Sequence, residues 1–157
     1  MREAGLISTQ SKSDIVSLDG ADFHGVQWSH ADLSHANLSG TDLHEANLGG
    51  ADLRGANLSN SILSSANLSQ TNLESADLSN TELIGADLSQ AYLMRTDFTN
   101  AELVGADLSK AYLHSTNFSD ADLTGTNLSG ADLYNAKLDG TGITKKQLAQ
   151  ANLKTTL

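Results

Sequence analysis

The chain has 157 residues, with 19 acidic against 9 basic side chains, a formal net charge of −10, and neither proline nor cysteine. That charge argues against direct binding to nucleic-acid phosphates, and the lack of cysteine excludes a disulfide framework and thiolate metal sites. Hydrophobic residues make up 39% but aromatics only 4%, so the composition does not supply the large, varied side chains of a conventional layered core.

Residues 1–15, MREAGLISTQSKSDI, read as an N-terminal tail or cap. They hold no apolar run of the kind a secretory signal needs, and no segment is long enough to span a bilayer, so the expected location is the cytoplasm with no membrane contact. Leu6, Ile7 and Ile15 are available to cover the end of the element that follows.

From residue 16 to 143 the chain keeps a period of five. With pentads starting at numbers that end in 1 or 6, all 27 third positions from Phe23 to Leu153 are Leu, Phe, Trp or Ile, and 17 of the 27 first positions are Ala. A helix would scatter such a series around its axis, and a strand would send successive leucines to opposite faces. One continuous buried stripe results only if the chain turns a corner in every pentad, with the first and third residues inward and the other three outward. A second period is nested in the first: residues 106–125 repeat residues 86–105 at 12 of 20 positions. Twenty residues is four corners, so the chain should wind as a square solenoid whose coils stack at strand spacing. It should have roughly six coils and be about 30 Å long.

The third-position residues Phe23 and Trp28 are bulky enough to help close the N-terminal end. The C-terminal end offers two readings. In ITKKQLAQAN (143–152), Thr144 and Gln147 have capping-box spacing, and Ile143 and Leu148 sit where a hydrophobic staple needs them. This predicts a short helix laying Leu148 and Ala151 over the last coil, within a cap and tail of residues 144–157. Leu148 and Leu153 also keep the five-residue register, so an additional frayed coil is the alternative.

The pattern A-(D/N)-L-x-x, carried by stretches such as ADLSQAYLMR and ADLSKAYLHS, resembles the pentapeptide-repeat family. The resemblance implies an all-β fold, a right-handed quadrilateral β-helix; the periodicity gives four corners but no hand. Some members of that family mimic DNA and bind DNA gyrase, protecting it from topoisomerase poisons, and typically dimerise through an apolar C-terminal helix. Here that segment is short and carries Lys145, Lys146 and Lys154. The mostly leucine centre is more similar to the many uncharacterised, often cyanobacterial, members. The expected state is a monomer or a weak end-to-end dimer.

The four walls differ. Two opposite walls are plain, with Ser at most fourth positions. One of the others, the acidic wall, stacks Asp22, Asp42, Ile62, Glu82, Glu102 and Asp122, with Ile84 and Val104 alongside. The opposite one, the tyrosine wall, stacks Tyr92 on Tyr112, with Met94, Arg95, His114 and Tyr134 nearby. Exposed aromatics, Arg and interleaved acidic and apolar groups are the usual material of a binding surface. The candidate interaction residues are therefore Tyr92, Tyr112, Tyr134, Met94, Arg95, Glu82, Glu102, Asp122, Ile84 and Val104. Three plainer readings stand beside that one. Asp and Asn at second positions serve tight corners through local hydrogen bonds; exposed acids are ordinarily solvated charge; and a tyrosine ladder forms by cross-strand stacking alone.

His24, His30, His35 and His44 cluster in the first two coils without the ligand spacing of a known metal site. GGADL at 49–53 partly matches a calcium-binding nonapeptide but does not recur. No nucleophile elbow, P-loop or H-E-x-x-H motif occurs. The reading is a non-enzymatic interaction scaffold with one or more protein partners, no cofactor, no metal and no direct nucleic-acid binding. An acidic gyrase-binding DNA mimic and a purely structural spacer are the alternatives.

Overall fold

The computed structural model describes residues 16–152; the proposed tail, with Leu6, Ile7 and Ile15, and the residues from Leu153 onward, Lys154 included, lie outside them. The described chain is a right-handed quadrilateral β-helix. Every backbone bridge joins residues twenty apart and in parallel, beginning with Ser17 to Asn37 and Asp22 to Asp42. One coil is therefore four pentads.

Most pentads up to residue 120 repeat one hydrogen-bonding scheme. The third-position N–H donates to the second-position carbonyl of the next coil, as in Leu33 to Asp52 at 2.8 Å, and the fifth does the same to a fourth-position carbonyl, as in His35 to Arg54 at 2.9 Å. The first-position N–H closes the corner onto the carbonyl three residues back, as in Ala36 to Leu33 at 3.0 Å. Every fifth position from residue 20 to 140 has φ between 55° and 75°, and fifteen of these residues are not glycine. A positive φ at the third residue of a four-residue turn is the type II geometry. It costs a non-glycine residue about 1–2 kcal/mol, a strain offset here by the two coil-to-coil bonds of each corner. Gly50 and Gly55 have a separate reason to be glycine. A Cβ on them would lie 2.6 and 2.7 Å from the rings of His30 and His35 one coil below.

The inward positions fill the axis. Leucines from Leu33 to Leu128 are at most 1% exposed, and Phe98 and Phe118 are fully buried. The two phenylalanine rings stack at 5.1 Å, 4° from parallel. Small first positions let the walls close on this column. Where that residue is Thr or Ser its hydroxyl is buried but bonded to a third-position carbonyl, as in Thr96 to Leu73 at 2.8 Å and Thr116 to Leu93 at 2.6 Å. No buried hydroxyl of this kind is stranded away from water without a partner.

Both ends use the residues singled out above. Phe23 and Trp28 pack at 4.6 Å over the N-terminal end of the core. At the other end, helix α1 (Lys145–Gln150) has the Thr144–Gln147 capping box. The Gln147 amide also donates to the carbonyls of Leu123 and Thr126, at 2.8 and 3.3 Å. Ile143, Leu148 and Ala151 pack on the core. Asn152 then pairs with Asp132 in the regular register. The two C-terminal readings are thus compatible: α1 occupies the place of one pentad, and the coil resumes after it.

Candidate functional site

Second-position side chains decide what each wall presents. From residue 22 to 132, all seventeen that are Asp or Asn accept a hydrogen bond from the backbone N–H two residues on, at 2.8–3.2 Å. That fourth-position N–H has no place in the coil-to-coil ladder, so a short polar side chain satisfies it. Much of the acidity is therefore turn chemistry: ten aspartates, Asp122 among them, hold a corner through this bond.

Six second positions depart from the rule: Gln27, Ile62, Glu82, Tyr92, Glu102 and Tyr112. Gln27 lies in the first coil, where its amide bonds Gly25 and Asn47. The other five lie mid-solenoid on two opposite walls, three in one column and two in the other. In these pentads the N–H groups of Ser64, Ile84, Met94, Val104 and His114 have no second-position acceptor.

On the acidic wall, Ile62 and Ile84 are 40% and 41% exposed, Val104 is half-buried, and Glu102 and Asp122 are exposed. Glu82 reaches back to accept from the Ser64 hydroxyl at 2.6 Å. Asn60, Asn80 and Asn100 run along one border and form a shallow groove with Ile62, Glu82 and Glu102. Asp122 sits below the ordinary carboxylate range because Thr124 hydrogen-bonds it from side chain and backbone. Further up this wall His24 and His44 stack at 5.3 Å. Glu45 lies 3.9 and 3.6 Å from their Nε2 atoms.

On the tyrosine wall, Tyr92 and Tyr112 are 43% and 45% exposed. They stack at 5.0 Å and 5° from parallel. Gln70, Gln90 and Lys110 line a groove beside them. His114 lies edge-on to Tyr134 at 5.6 Å, with its Nε2 2.7 Å from Asp132 Oδ2. Met94 is half-buried. The Arg95 guanidinium pairs with Glu74 one coil back. Of the ten candidate residues, the structure gathers Tyr92 with Tyr112 and Glu82 with Glu102, with Ile84 and Val104 on the same wall. Asp122 is tied to its own turn.

The two groove borders and the Ser64–Glu82 bond escaped sequence reasoning. The Asn60–Asn80–Asn100 and Gln70–Gln90–Lys110 columns recur at twenty residues and could have been found by reading fifth positions down each wall.

The plain walls are interlocked instead. Asn67 donates to Asn47 at 3.0 Å, and Asn117 to Asp97 at 3.1 Å, from coil to coil. Asp52 is held below its usual pKa of 3.8 chiefly by the Arg54 side-chain hydrogen bond. A depressed carboxylate contributes stability at neutral pH that is lost as pH falls through its folded pKa. The Asp52 carboxyl is expected to titrate below 3.8 by NMR, and Arg54→Gln to move it upward. The effect on stability should be small, because the pair is solvent-screened.

Among the described residues no set of three His, Asp or Glu is placed to hold a metal ion, and no helix is long and apolar enough to cross a membrane.

The family model for pentapeptide repeats matches in eight copies, in overlapping stretches from residue 17 to 154. Among solved structures, the chain is similar to HetL, a pentapeptide repeat protein involved in heterocyst differentiation regulation from the cyanobacterium Nostoc sp. strain PCC 7120. Identity is 28%, covering 80% of this chain and 75% of that one, with a TM-score of 0.54. Rfr23 from the cyanobacterium Cyanothece 51142 is 29% identical, covering 77% and 90%, with a TM-score of 0.46. QnrB1, a plasmid-mediated fluoroquinolone resistance protein, is 20% identical in one trypsin-treated form, covering 88% and 78%, with a TM-score of 0.48. No curated protein matches the chain.

Proposed function

This chain belongs to the pentapeptide-repeat family, and from that premise we propose that it works as a non-enzymatic scaffold that binds protein partners through its acidic and tyrosine walls. One observation carries the reading. The mid-solenoid second positions that lack the turn-stabilising Asp or Asn are grouped on two opposite walls, and each places an Ile, Glu or Tyr where that bond would be, exposed in every case but Glu82, which is half-buried. A net intramolecular hydrogen bond is worth about 0.5–1.5 kcal/mol, so five such omissions in two columns point to a demand other than folding. The axis is filled with leucine and phenylalanine, which leaves the outer walls as the recognition surface. The likeness to HetL, a protein described as taking part in regulation, supports an interaction role over a chemical one.

The test is capture of a partner from the source cell, followed by titration with purified variants. The Tyr92→Ser, Tyr112→Ser double change is expected to weaken binding by at least about thirtyfold, the equivalent of about 2 kcal/mol, if the ladder is the hot spot. The melting temperature should shift little, and a control with Ser69→Ala and Ser89→Ala on a plain wall should bind as the parent does. A partner lost only on changing Glu82 and Glu102 assigns the function to the acidic wall. No partner dependent on either wall leaves the structural spacer as the reading.

The charge favours a second reading. Residues 16–140 hold 17 acids and 4 bases, a rod able to occupy a basic channel shaped for DNA. On that reading the purified protein inhibits gyrase supercoiling or relieves quinolone-stabilised cleavage. Changing Glu82 and Glu102 to Gln then weakens the effect and its salt dependence. Absence of any effect at micromolar protein removes this reading for the cognate gyrase.

A further inference from the structure

We propose that the acidic wall between residues 61 and 125 docks a segment of a partner protein in which arginines alternate with aliphatic residues. This rests on the scaffold reading above and names the chemistry of one of its surfaces. The argument starts from the apolar groups. Ile62 and Ile84 are each about two-fifths exposed, and Val104 continues the same patch one coil on. Fourth positions on the plain walls are mostly serine, so isoleucine and valine here are not what the repeat requires.

The borders then define how a partner lies on the patch. On one side the corner residues are Gly85, Gly105 and Gly125; a Cβ on Gly85 or Gly105 would meet nothing within 4 Å, and one on Gly125 would meet only the backbone of Gly105, at 3.8 Å. At the same levels the other three corners carry Gln90 and Lys110, Arg95 and Ser115, and Asn80 and Asn100. At the levels of Gly85 and Gly105 the glycine edge is therefore the one bare corner, and an extended backbone can approach it closely. The opposite border is the Asn60–Asn80–Asn100 column, whose amides offer donors and acceptors.

Charge complementarity selects the occupant. Pentads 61–65, 81–85, 101–105 and 121–125 contain Glu82, Glu102 and Asp122 and no basic residue. Glu82 and Glu102 are backbone neighbours one coil apart, Glu102 exposed and Glu82 half-buried with its carboxylate accepting from the Ser64 hydroxyl, and no base within the wall neutralises their charges. A planar guanidinium meets a carboxylate with two parallel hydrogen bonds, and its aliphatic stem packs on apolar surface. Arginine beside valine, leucine or isoleucine thus satisfies the carboxylates and covers Ile84 and Val104 together.

The experiment uses the full chain and two blocked dodecapeptides, one alternating Arg with Val and one alternating Arg with Gly, followed by backbone NMR. The Arg–Val peptide is expected to shift amides of residues 82–85 and 102–105 selectively and to bind at least tenfold tighter than the Arg–Gly peptide. Ile84→Ser with Val104→Ser, which installs the ordinary fourth-position residue, should abolish that preference. Glu82→Gln with Glu102→Gln should weaken binding about tenfold, and Ser69→Ala with Ser89→Ala on a plain wall should leave it unchanged. Shifts spread over all four walls, or equal binding of the two peptides, would overturn the assignment, since either would mean attraction by net charge alone. That outcome leaves the scaffold reading standing, because the scaffold reading fails on a separate result, the absence of any partner dependent on either wall.

Discussion

Leu73→Asp is expected to leave the chain unfolded at neutral pH, as measured by far-UV circular dichroism and loss of a cooperative denaturation transition. Leu73 is fully buried at mid-solenoid. Its own amide is bonded to Tyr92 O at 2.8 Å, and its carbonyl accepts from the Thr96 hydroxyl at 2.8 Å. A carboxylate at this point loses its water and finds no cation, a cost of several kcal/mol against a total stability of about 5–15 kcal/mol. A solenoid magnifies the damage. Each coil is stabilised only by its neighbours, so a fault in the middle creates two new exposed ends. The milder Leu73→Ala should cost about 2–5 kcal/mol through lost burial and the cavity left behind. Gln90→Glu, at an exposed corner, should stay within about 0.5 kcal/mol of the parent. Comparable tolerance at positions 73 and 90 would mean that the inward and outward registers are wrongly assigned.

The second large effect contrasts two aromatic ladders at the same level of the rod. Phe98 stacks on Phe118 inside, and Tyr92 on Tyr112 outside, with nearly identical spacing of 5.1 and 5.0 Å. The stacking itself contributes about 0.5–1.5 kcal/mol in either place. The burial differs: Phe98 is fully enclosed, whereas Tyr92 is 43% exposed. Phe98→Ala should therefore cost about 3–5 kcal/mol by urea denaturation. Tyr92→Ala, which gives up the stacking and only part of a ring's burial, should cost clearly less. Equal losses would show that the outer ladder is a structural strut, and the tyrosine wall would then lose its standing as a binding surface.

Much of the fold was legible because one burial rule acts in every pentad. The first and third positions face the axis at Ala36 and Leu38 as at Ala106 and Leu108, and a rule repeated so often survives local exceptions. The corners were less legible. Positive φ at His30, Arg95 and Lys110 carries no glycine or asparagine signal; coil stacking imposes that geometry on whatever residue stands there. The hand of the coil is likewise invisible in a period of five and came from the family likeness. At the C-terminus, residues 143–152 held signals for a helix and for another coil. The chain uses both, because α1 fits the space of one pentad before Asn152 rejoins the ladder.

Of the candidate surface, the columns could be read at a spacing of twenty, which is why Tyr92 meets Tyr112 and Glu82 meets Glu102. Arg95 shows the limit. Its partner Glu74 lies one coil back, and a flexible side chain choosing between neighbours is settled by packing that periodicity does not encode. The role of second-position Asp and Asn was foreseen as local turn chemistry. That the departures from it mark two walls follows from which fourth-position amide each second-position side chain caps, a pairing that periodicity does not encode.

Those departures give the central claim its most direct measurement. Ile62→Asn and Glu102→Asn together put back the side chain that the other corners use, offering acceptors to the Ser64 and Val104 amides. If Ile62 and Glu102 serve recognition and not folding, the free energy of unfolding of the double variant, from urea denaturation, should equal or exceed that of the parent by about 0.5–1.5 kcal/mol for each restored bond. A variant clearly less stable than the parent would contradict the account, because it would show that these side chains are kept for the fold itself.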